Sequence, residues 1–176
     1  MNYTDDPVRA RAKLMGCNYS VDDIAVYEGR MFGAVYTTTA IAAGASYDIG
    51  ILTTDTTMVY IPSTVITSAD SVTIGIYEGS TVAGGTILAS SSRQRNSSAT
   101  SKVTLKTAPT VSDVGTFVIS SYIGGVAGNP QSRHGGTASG GNKMVLKPNA
   151  QYLLRLTNGS TVANTIRVKM EWIKSV

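Results

Sequence analysis

The side chains that could act as general acids or bases are carboxylates spread along the chain, and none lies in a recognisable catalytic motif. The candidates are Asp22, Asp23, Glu28, Asp48, Asp55, Asp70, Glu78, Asp113 and Glu171. A two-carboxylate glycoside hydrolase stays open, because the pair is defined by a separation in space that sequence spacing does not show. A single tryptophan nevertheless offers a poor aromatic platform for a sugar. These residues favour a protein that is not an enzyme.

The only cysteine and the only histidine limit the chemistry further. Because Cys17 is alone, it supports no internal disulfide, no zinc site of several thiolates and no dithiol redox pair. His134 lacks a second histidine for a metal site and stands 117 positions after Cys17 (134 − 17). The Gly-rich stretches lack the Gly-Lys-Ser/Thr ending of a phosphate-binding loop. The sequence therefore predicts no catalytic residues, no metal and no cofactor.

Charge is divided unevenly along the chain. Residues 1–88 contain four basic and nine acidic side chains, net −5, whereas residues 89–176 contain eleven basic and two acidic ones, net +9. The halves of a β fold interleave in space, so this asymmetry can disappear on the folded surface. A basic run without an intervening acid consists of Arg93, Arg95, Lys102 and Lys106. The surrounding span, 81–116, has no Phe, Tyr or Trp to stack on bases, so a solvated strand face is favoured and nucleic-acid binding is not expected.

The chain is 176 residues long with a mass of 18.4 kDa, which is enough for one hydrophobic core. Residues 1–27 are interpreted as an N-terminal arm and residues 28–176 as a β-sandwich domain, with a long Gly-rich loop at 124–142. No apolar run approaches the roughly 18 residues that cross a bilayer, and no secretory signal is visible. We therefore expect no membrane association and no export by that route.

Strands are predicted where apolar and polar side chains alternate, because successive side chains of a strand point to opposite faces. The clearest case is Thr165–Ile173, in which Ile166, Val168, Met170 and Trp172 share one face. Weaker alternation predicts strands at Val72–Ile76, Val103–Leu105 and Phe117–Ile123, with Phe117 and Ile119 on the same face. Short β-rich runs add Met31–Thr39, Ser46–Thr53, Met58–Ile61, Val65–Thr67, Thr86–Ala89, Met144–Leu146 and Gln151–Thr157. The fold expected from these strands is an all-β, antiparallel β-sandwich, jelly-roll-like, with an extended N-terminal arm.

Several segments carry a likeness to a known family. They are Ile76–Thr86 (IYEGSTVAGGT), Arg93–Ser97 (RQRNS), Ala108–Thr110 (APT), Leu146–Asn158 (LKPNAQYLLRLTN) and Glu171–Trp172. In combination, over about residues 29–174, they resemble the head cement, or decoration, proteins of tailed bacteriophages. Members of that family often have Asn-Arg-Asn-Arg where this chain has Ser92-Arg93-Gln94-Arg95, which keeps both arginines and lacks both asparagines.

This resemblance implies a structural virion protein that forms a homodimer or homotrimer. It would be made in the host cytoplasm, bind the major capsid protein on the exterior of the capsid, and bridge neighbouring subunits to stabilise the mature head. Contacts with the capsid are expected from the arm, from the long loop and from the two retained arginines. The residues concerned are Arg9, Arg11, Lys13, Arg93, Arg95, Arg133 and His134.

A receptor- or glycan-binding β-sandwich, in a head fibre or near the tail, is the alternative function. It requires Tyr60, Tyr122, Tyr152 and Trp172 to lie partly exposed in one groove. Trp172, on an alternating strand, is instead expected in the core.

Overall fold

The computed structural model describes residues 20–54, 58–124 and 143–175, and most of its regular structure is β-strand. The helix in these ranges is α1 (Val21–Tyr27). The strands are β1 (Met31–Thr37), β2 (Ser46–Thr53), β3 (Val59–Ser68), β4 (Val72–Glu78), β5 (Thr81–Ala83), β6 (Thr86–Leu88), β7 (Ser91–Ser92), β8 (Val103–Thr107), β9 (Thr110–Asp113), β10 (Thr116–Ile123), β11 (Met144–Leu146), β12 (Gln151–Asn158) and β13 (Ile166–Lys174). The predicted all-β fold class is confirmed.

Two large sheets form the sandwich, and every strand pairing in them is antiparallel. The five-stranded sheet has the order β11-β3-β13-β1-β7, and the six-stranded sheet has the order β10-β4-β12-β2-β8-β6. A third, two-stranded sheet joins β5 to β9.

The pairing of the long strands is nested. β1 pairs with β13, β2 with β12, β3 with β11 and β4 with β10, as in an antiparallel ribbon that has been rolled up. A second pairing in each sheet, β13 with β3 and β12 with β4, joins these strand pairs side by side. Two packed antiparallel sheets built in this way are a jelly roll, as expected from the sequence.

The core lies between the two large sheets, and β13 shows how it is built. Ile166, Val168, Met170 and Trp172 are all buried, as the alternation predicts. The Trp172 ring stacks on Phe32 with a centroid separation of 6.5 Å, and its Nε1 donates a hydrogen bond to Ser101 Oγ at 3.2 Å. This tryptophan therefore belongs to the core.

A proline explains why one strand was predicted as two. The runs Met58–Ile61 and Val65–Thr67 belong to the single strand β3, which contains Pro62. Opposite this proline, the register with β13 shifts between Glu171 and Ile173. Since proline has no N–H to donate to the ladder, a bulge is the place where a strand accommodates it.

A second irregularity overturns the expected orientation of Phe117. The register of β10 against β4 shifts between Phe117 and Ile119, so these two side chains no longer share a face. Ile119 is half-buried, whereas Phe117 is 56% exposed and packs edge to face with the Tyr77 ring. The bulge adds one residue and thereby reverses the alternation.

The sheet of β5 and β9 covers part of the outer face of the six-stranded sheet. A Cβ at Gly50 of β2 would lie 3.1 Å from Val82 Cγ2 and 3.7 Å from Pro109 Cγ. Leu153, which pairs with Gly50, is fully buried although it points away from the inner core. The Val82 N–H donates to Gln151 Oε1 at 3.0 Å, which fixes this cover in place. We call the outer face of the six-stranded sheet the covered face.

Helix α1 belongs to the part of the sequence that was predicted to be an arm. Ser20 and Asp23 form a capping box at its start, because the Asp23 N–H donates to Ser20 Oγ while Asp23 Oδ2 accepts from the Ser20 N–H. Ala25 is fully buried against Met31 and Ile173 at one end of the five-stranded sheet. Residues 20–27 are thus packed on the domain, and the remainder of the predicted arm, 1–19, lies outside the described residues.

Membrane insertion through a helix finds no support in the structure. Among the residues described, no helix combines the length and the apolar character needed to cross a bilayer.

Candidate partner-binding face

Most of the described carboxylates that could have served as acids or bases have structural partners. Ion pairs join Glu28 to Arg30, Asp48 to Arg155, Glu78 to Lys147 and Glu171 to Arg93. Asp70 and Asp113 accept backbone hydrogen bonds within their own turns. Within the described ranges, no group of three or more Asp, Glu, His or Cys side chains could hold a metal ion. Asp55, Cys17 and His134 lie outside those ranges.

Two of the segments that carry the family likeness, Ile76–Thr86 and Leu146–Asn158, meet at one corner of the sandwich. Glu78 pairs with Lys147, and the hydrogen bond from Lys147 holds the pKa of the Glu78 carboxyl below its usual range. The Gly79 N–H donates to the Gln151 carbonyl at 2.9 Å. These contacts therefore join the two motif segments to each other.

The second segment ends in another structural residue. Asn158 is fully buried, and its Nδ2 donates to the carbonyls of Ile41 at 2.9 Å, Ala42 at 3.1 Å and Val162 at 2.8 Å. Removing this amide would delete three hydrogen bonds that join Asn158 to the chain at 41–42 and at 162, although each carbonyl keeps another donor, from Asn164, Ala45 and Ser160 respectively.

The aromatic residues required for a glycan groove are not brought together. Trp172 and Tyr152 are each only 1% exposed, within the core. Tyr60 packs at the end of the five-stranded sheet that α1 covers, while Tyr122 is exposed on β10 of the other sheet. The four-residue aromatic groove that the glycan-binding alternative requires is therefore not formed.

The two retained arginines belong to a turn that is held firmly against the domain. The Arg93 N–H donates to the Met31 carbonyl at 2.8 Å, and the Ser97 N–H donates to the Gln94 carbonyl at 3.1 Å. Gly29, at φ +67°, packs against this turn so closely that a Cβ would lie 2.3 Å from Ser97 Oγ. Only glycine combines this backbone angle with such an approach, so the position of the turn is fixed.

The outer face of the five-stranded sheet brings further cations beside these arginines. Across β1, β13 and β3, the strand registers form three rows. The rows are Gly33–Glu171–Ser63, Val35–Lys169–Val65 and Thr37–Arg167–Thr67. Apart from the charged residues of β13, these positions carry small or uncharged side chains. We call this surface, with Arg93, Arg95, Arg167 and Lys169, the cationic face.

Glu171 supplies the carboxylate that pairs with cations on the cationic face. Glu171 pairs with Arg93, and its Oε2 lies 3.4 Å from Lys169 Nζ. Arg95 and Arg167 form no ion pair with any described residue. Four cations against one carboxylate leave a local net charge of about +3, which favours an anionic partner.

A groove crosses the cationic face above Gly33. Its volume is about 400 Å³, and Val35, Arg93, Arg95 and Lys169 contribute to its lining. Gly33 is part of its lining, and a Cβ there would lie 3.4 Å from both Arg93 Nε and the Met170 carbonyl oxygen. The groove is open to solvent and lined by cations, so it is suited to a macromolecular surface.

Of the predicted contact residues, the described ranges contain only Arg93 and Arg95, and both border this groove. Arg9, Arg11, Lys13, Arg133 and His134 lie outside the described residues. Arg167 and Lys169 were missed as candidates, although the alternation of β13 already placed them on its polar side. No sequence signal placed β7 next to β1, and this pairing is what brings Arg93 to them.

Comparison with known proteins identifies no relative: no family model matches this chain, and neither a curated protein nor a solved structure does.

Proposed function

We propose that this chain is a structural virion protein that binds the outer surface of a phage capsid and bridges neighbouring major capsid subunits. The observation that carries this proposal is the placement of Arg93 and Arg95. They are retained from the family pattern that the sequence resembles, and they project from a fixed turn onto an open cationic face. Ile76–Thr86 and Leu146–Asn158 contribute to the fold through the contacts described above, whereas this turn and its ion-pair partner Glu171 lie on the cationic face.

Binding to the assembled shell would stabilise it by mass action. A protein that binds the shell and not its free subunits contributes RT ln(1 + [L]/Kd) at each site. A homodimer or homotrimer would make several such contacts at once, and avidity then strengthens weak individual sites. In this proposal the partner is the major capsid protein and the location is the exterior of the virion.

The direct test is co-sedimentation of the purified protein with mature capsid shells that lack it, followed by thermal melting of the shells. Saturable binding and a higher shell melting temperature are expected. Absence of binding would overturn the proposal and favour the receptor- or glycan-binding alternative, for which Phe117 and Tyr122 on β10, 56% and 67% exposed, would be the first residues to replace.

Matched charge reversals test the face. Arg95→Glu should lower shell occupancy, because Arg95 borders the groove and has no described ion-pair partner. Lys106→Glu makes the same charge change on β8, where alternation directs the side chain to the covered face. Equal occupancy of the two variants would exclude the cationic face as the contact surface.

The arm and the long loop are tested separately. A truncation of residues 1–19 retains Ser20 and therefore the capping box of α1, so the fold should survive. The prediction from the sequence is that deleting residues 1–20 reduces shell occupancy, and the shorter truncation tests the same arm while keeping Ser20. The same assay applies to a double alanine substitution of Arg133 and His134. Unchanged occupancy would exclude the segment concerned.

A further inference from the structure

Part of the edge of β1 beside the groove has no strand next to it among the residues that the structure describes. β7 pairs with β1 only at Phe32 and Gly33. Beyond Gly33, no described strand lies on this side of β1, which ends at Thr37. A strand edge of this kind is a template for pairing with another chain.

The direction of the backbone groups follows from the hydrogen bonds at both ends of β1. The Met31 carbonyl accepts from Arg93 on the β7 side, whereas the Arg30 carbonyl and the Thr38 N–H bond to β13. Because both groups of one residue point to the same side and the sides alternate, those of Val35 and Thr37 point toward the open edge. They offer two donors and two acceptors to an incoming strand.

The charges next to this edge indicate what kind of segment would pair with it. Lys169 lies directly opposite Val35 on β13, and Arg167 lies opposite Thr37. Arg93 and Arg95 border the groove where β7 ends. An added strand would lie about 4.8 Å from β1, with alternate side chains on the same face as these cations. Lys169 and Arg167 lie two strand spacings, about 10 Å, from the added strand, so they would be reached across β1 by long acidic side chains such as Glu.

From these contacts we infer that the open edge of β1, at Val35 and Thr37, accepts an extended segment of a partner protein that carries acidic side chains at alternate positions. This inference rests on the proposed function, and it specifies how the capsid partner would be held. Main-chain hydrogen bonds would supply affinity, and the cationic face would select acidic segments.

A second copy of the chain is a poorer occupant. Two copies paired edge to edge through β1 would join two faces that each have a net positive charge, with their β13 strands three strand spacings, about 14 Å, apart. Neither copy would supply an unpaired carboxylate to the cations of the other. Charge complementarity therefore favours a different, acidic chain.

The test uses the full chain and an eight-residue peptide of alternating Glu and Thr, with a Lys/Thr peptide as control. Backbone-amide NMR should show saturable shifts and slower hydrogen exchange at Val35 and Thr37 with the acidic peptide alone. No saturable change, or an equal change with the basic peptide, would overturn the inference. Protection of both amides in the free protein, whether constant or rising with its concentration, would also overturn it, because the edge would then already be occupied.

Variants separate the contribution of the main-chain hydrogen bonds from that of the charges. Val35→Pro removes one donor from the edge, and Val35→Thr retains it, so only the first should lose peptide binding. The double variant Arg95→Glu/Lys169→Glu leaves the edge intact and should weaken binding about tenfold. This second variant keeps the test decisive if the proline variant does not fold. Unchanged binding by the double variant would exclude charge selection.

The shell assay distinguishes this inference from the function on which it rests. If the wild-type protein binds shells while the Val35 and Thr37 amides exchange as fast as in the free protein, strand addition is excluded and the proposed function stands. If the acidic peptide binds at this edge and shells do not, the edge is supported and the capsid is excluded as the partner.

Discussion

The outer faces of the two sheets differ in how a carboxylate is matched to its cations. On the covered face, Arg155 Nε and Nη2 donate to the two oxygens of Asp48, both at 2.8 Å. On the cationic face, Arg93 and Lys169 share Glu171, and Arg95 is paired with no described residue. The first arrangement contributes to the fold, whereas the second leaves charge available for an external partner.

Packing separates the faces in the same way. Leu153 on the covered face is fully buried beneath the sheet of β5 and β9. On the cationic face, α1 covers only the end near Met31 and Ile173, and Val35 remains 46% exposed. Stability and partner binding should therefore respond to substitutions on different faces.

The largest expected effect is on stability and comes from the covered face. Leu153→Ala should lower the free energy of unfolding by about 2–5 kcal/mol, because it leaves a cavity beneath a cover that cannot collapse freely. Val35→Ala on the cationic face should change it by less than about 0.5 kcal/mol. Urea denaturation of both variants measures the difference. Similar losses of unfolding free energy in the two variants would contradict the assignment of stability to the covered face.

Removal of one carboxylate from each face gives the next largest effect. Asp48→Ala should cost about 1–3 kcal/mol, since it leaves the half-buried Arg155 guanidinium without its two acceptors, and shell binding should not change. Glu171→Gln breaks more exposed ion pairs, worth about 0–1 kcal/mol, and makes the groove more positive. Chemical denaturation and co-sedimentation should therefore show a smaller stability loss and tighter shell binding for Glu171→Gln. Weaker shell binding by this variant would contradict the assigned role of the face.

Much of the fold could be predicted from local patterns, and its exceptions have local causes. The alternation in β13 identified its buried residues because one regular strand faces a single core. The same reasoning failed at Phe117, where a bulge inserts one residue and no sequence signal marks it. Helix α1 has only seven residues, so its stability depends on the local cap at Ser20 and on the burial of Ala25. That burial is supplied by tertiary contacts with Met31 and Ile173.

The candidate site was predictable only in part. Arg93 and Arg95 were identified through the family likeness, and the alternation of β13 placed Arg167 and Lys169 on its polar face. Their convergence depends on the pairing of β1 with both β13 and the two-residue strand β7. Such pairings join residues more than 50 positions apart and leave no local pattern in the sequence. The open edge at Val35 has the same origin.

Salt should separate the two faces with a smaller effect. Raising the ionic strength from about 0.1 M to about 1 M shortens the Debye length from about 10 Å to about 3 Å, which screens exposed charges strongly. Shell binding should weaken about tenfold or more if Arg95, Arg167 and Lys169 attract an acidic partner. The free energy of unfolding should change little, because Asp48 and Arg155 are half-buried. Co-sedimentation and urea titrations at both salt concentrations provide the comparison, and shell binding that is independent of salt would contradict it.

The smallest expected effect comes from the contact between the sheets, which belongs to neither outer face. Tyr36 of β1 and Tyr47 of β2 approach with their Oη atoms 2.6 Å apart. Burial, followed by the hydrogen bond with Tyr36, raises the pKa of Tyr47 from 10.0 to about 12. Because the folded pKa is raised, the stabilisation from neutral Tyr47 is fully present below about pH 10 and is lost between about pH 10 and pH 12.

Tyr47→Phe cannot ionise, so the difference in unfolding free energy between wild type and variant should shrink across this window. Denaturation at several alkaline pH values tests this, and parallel stability curves would show that the Tyr47 pKa is not raised by folding. Arg95→Glu should leave this pH dependence unchanged, since its charge lies on the cationic face and not between the sheets.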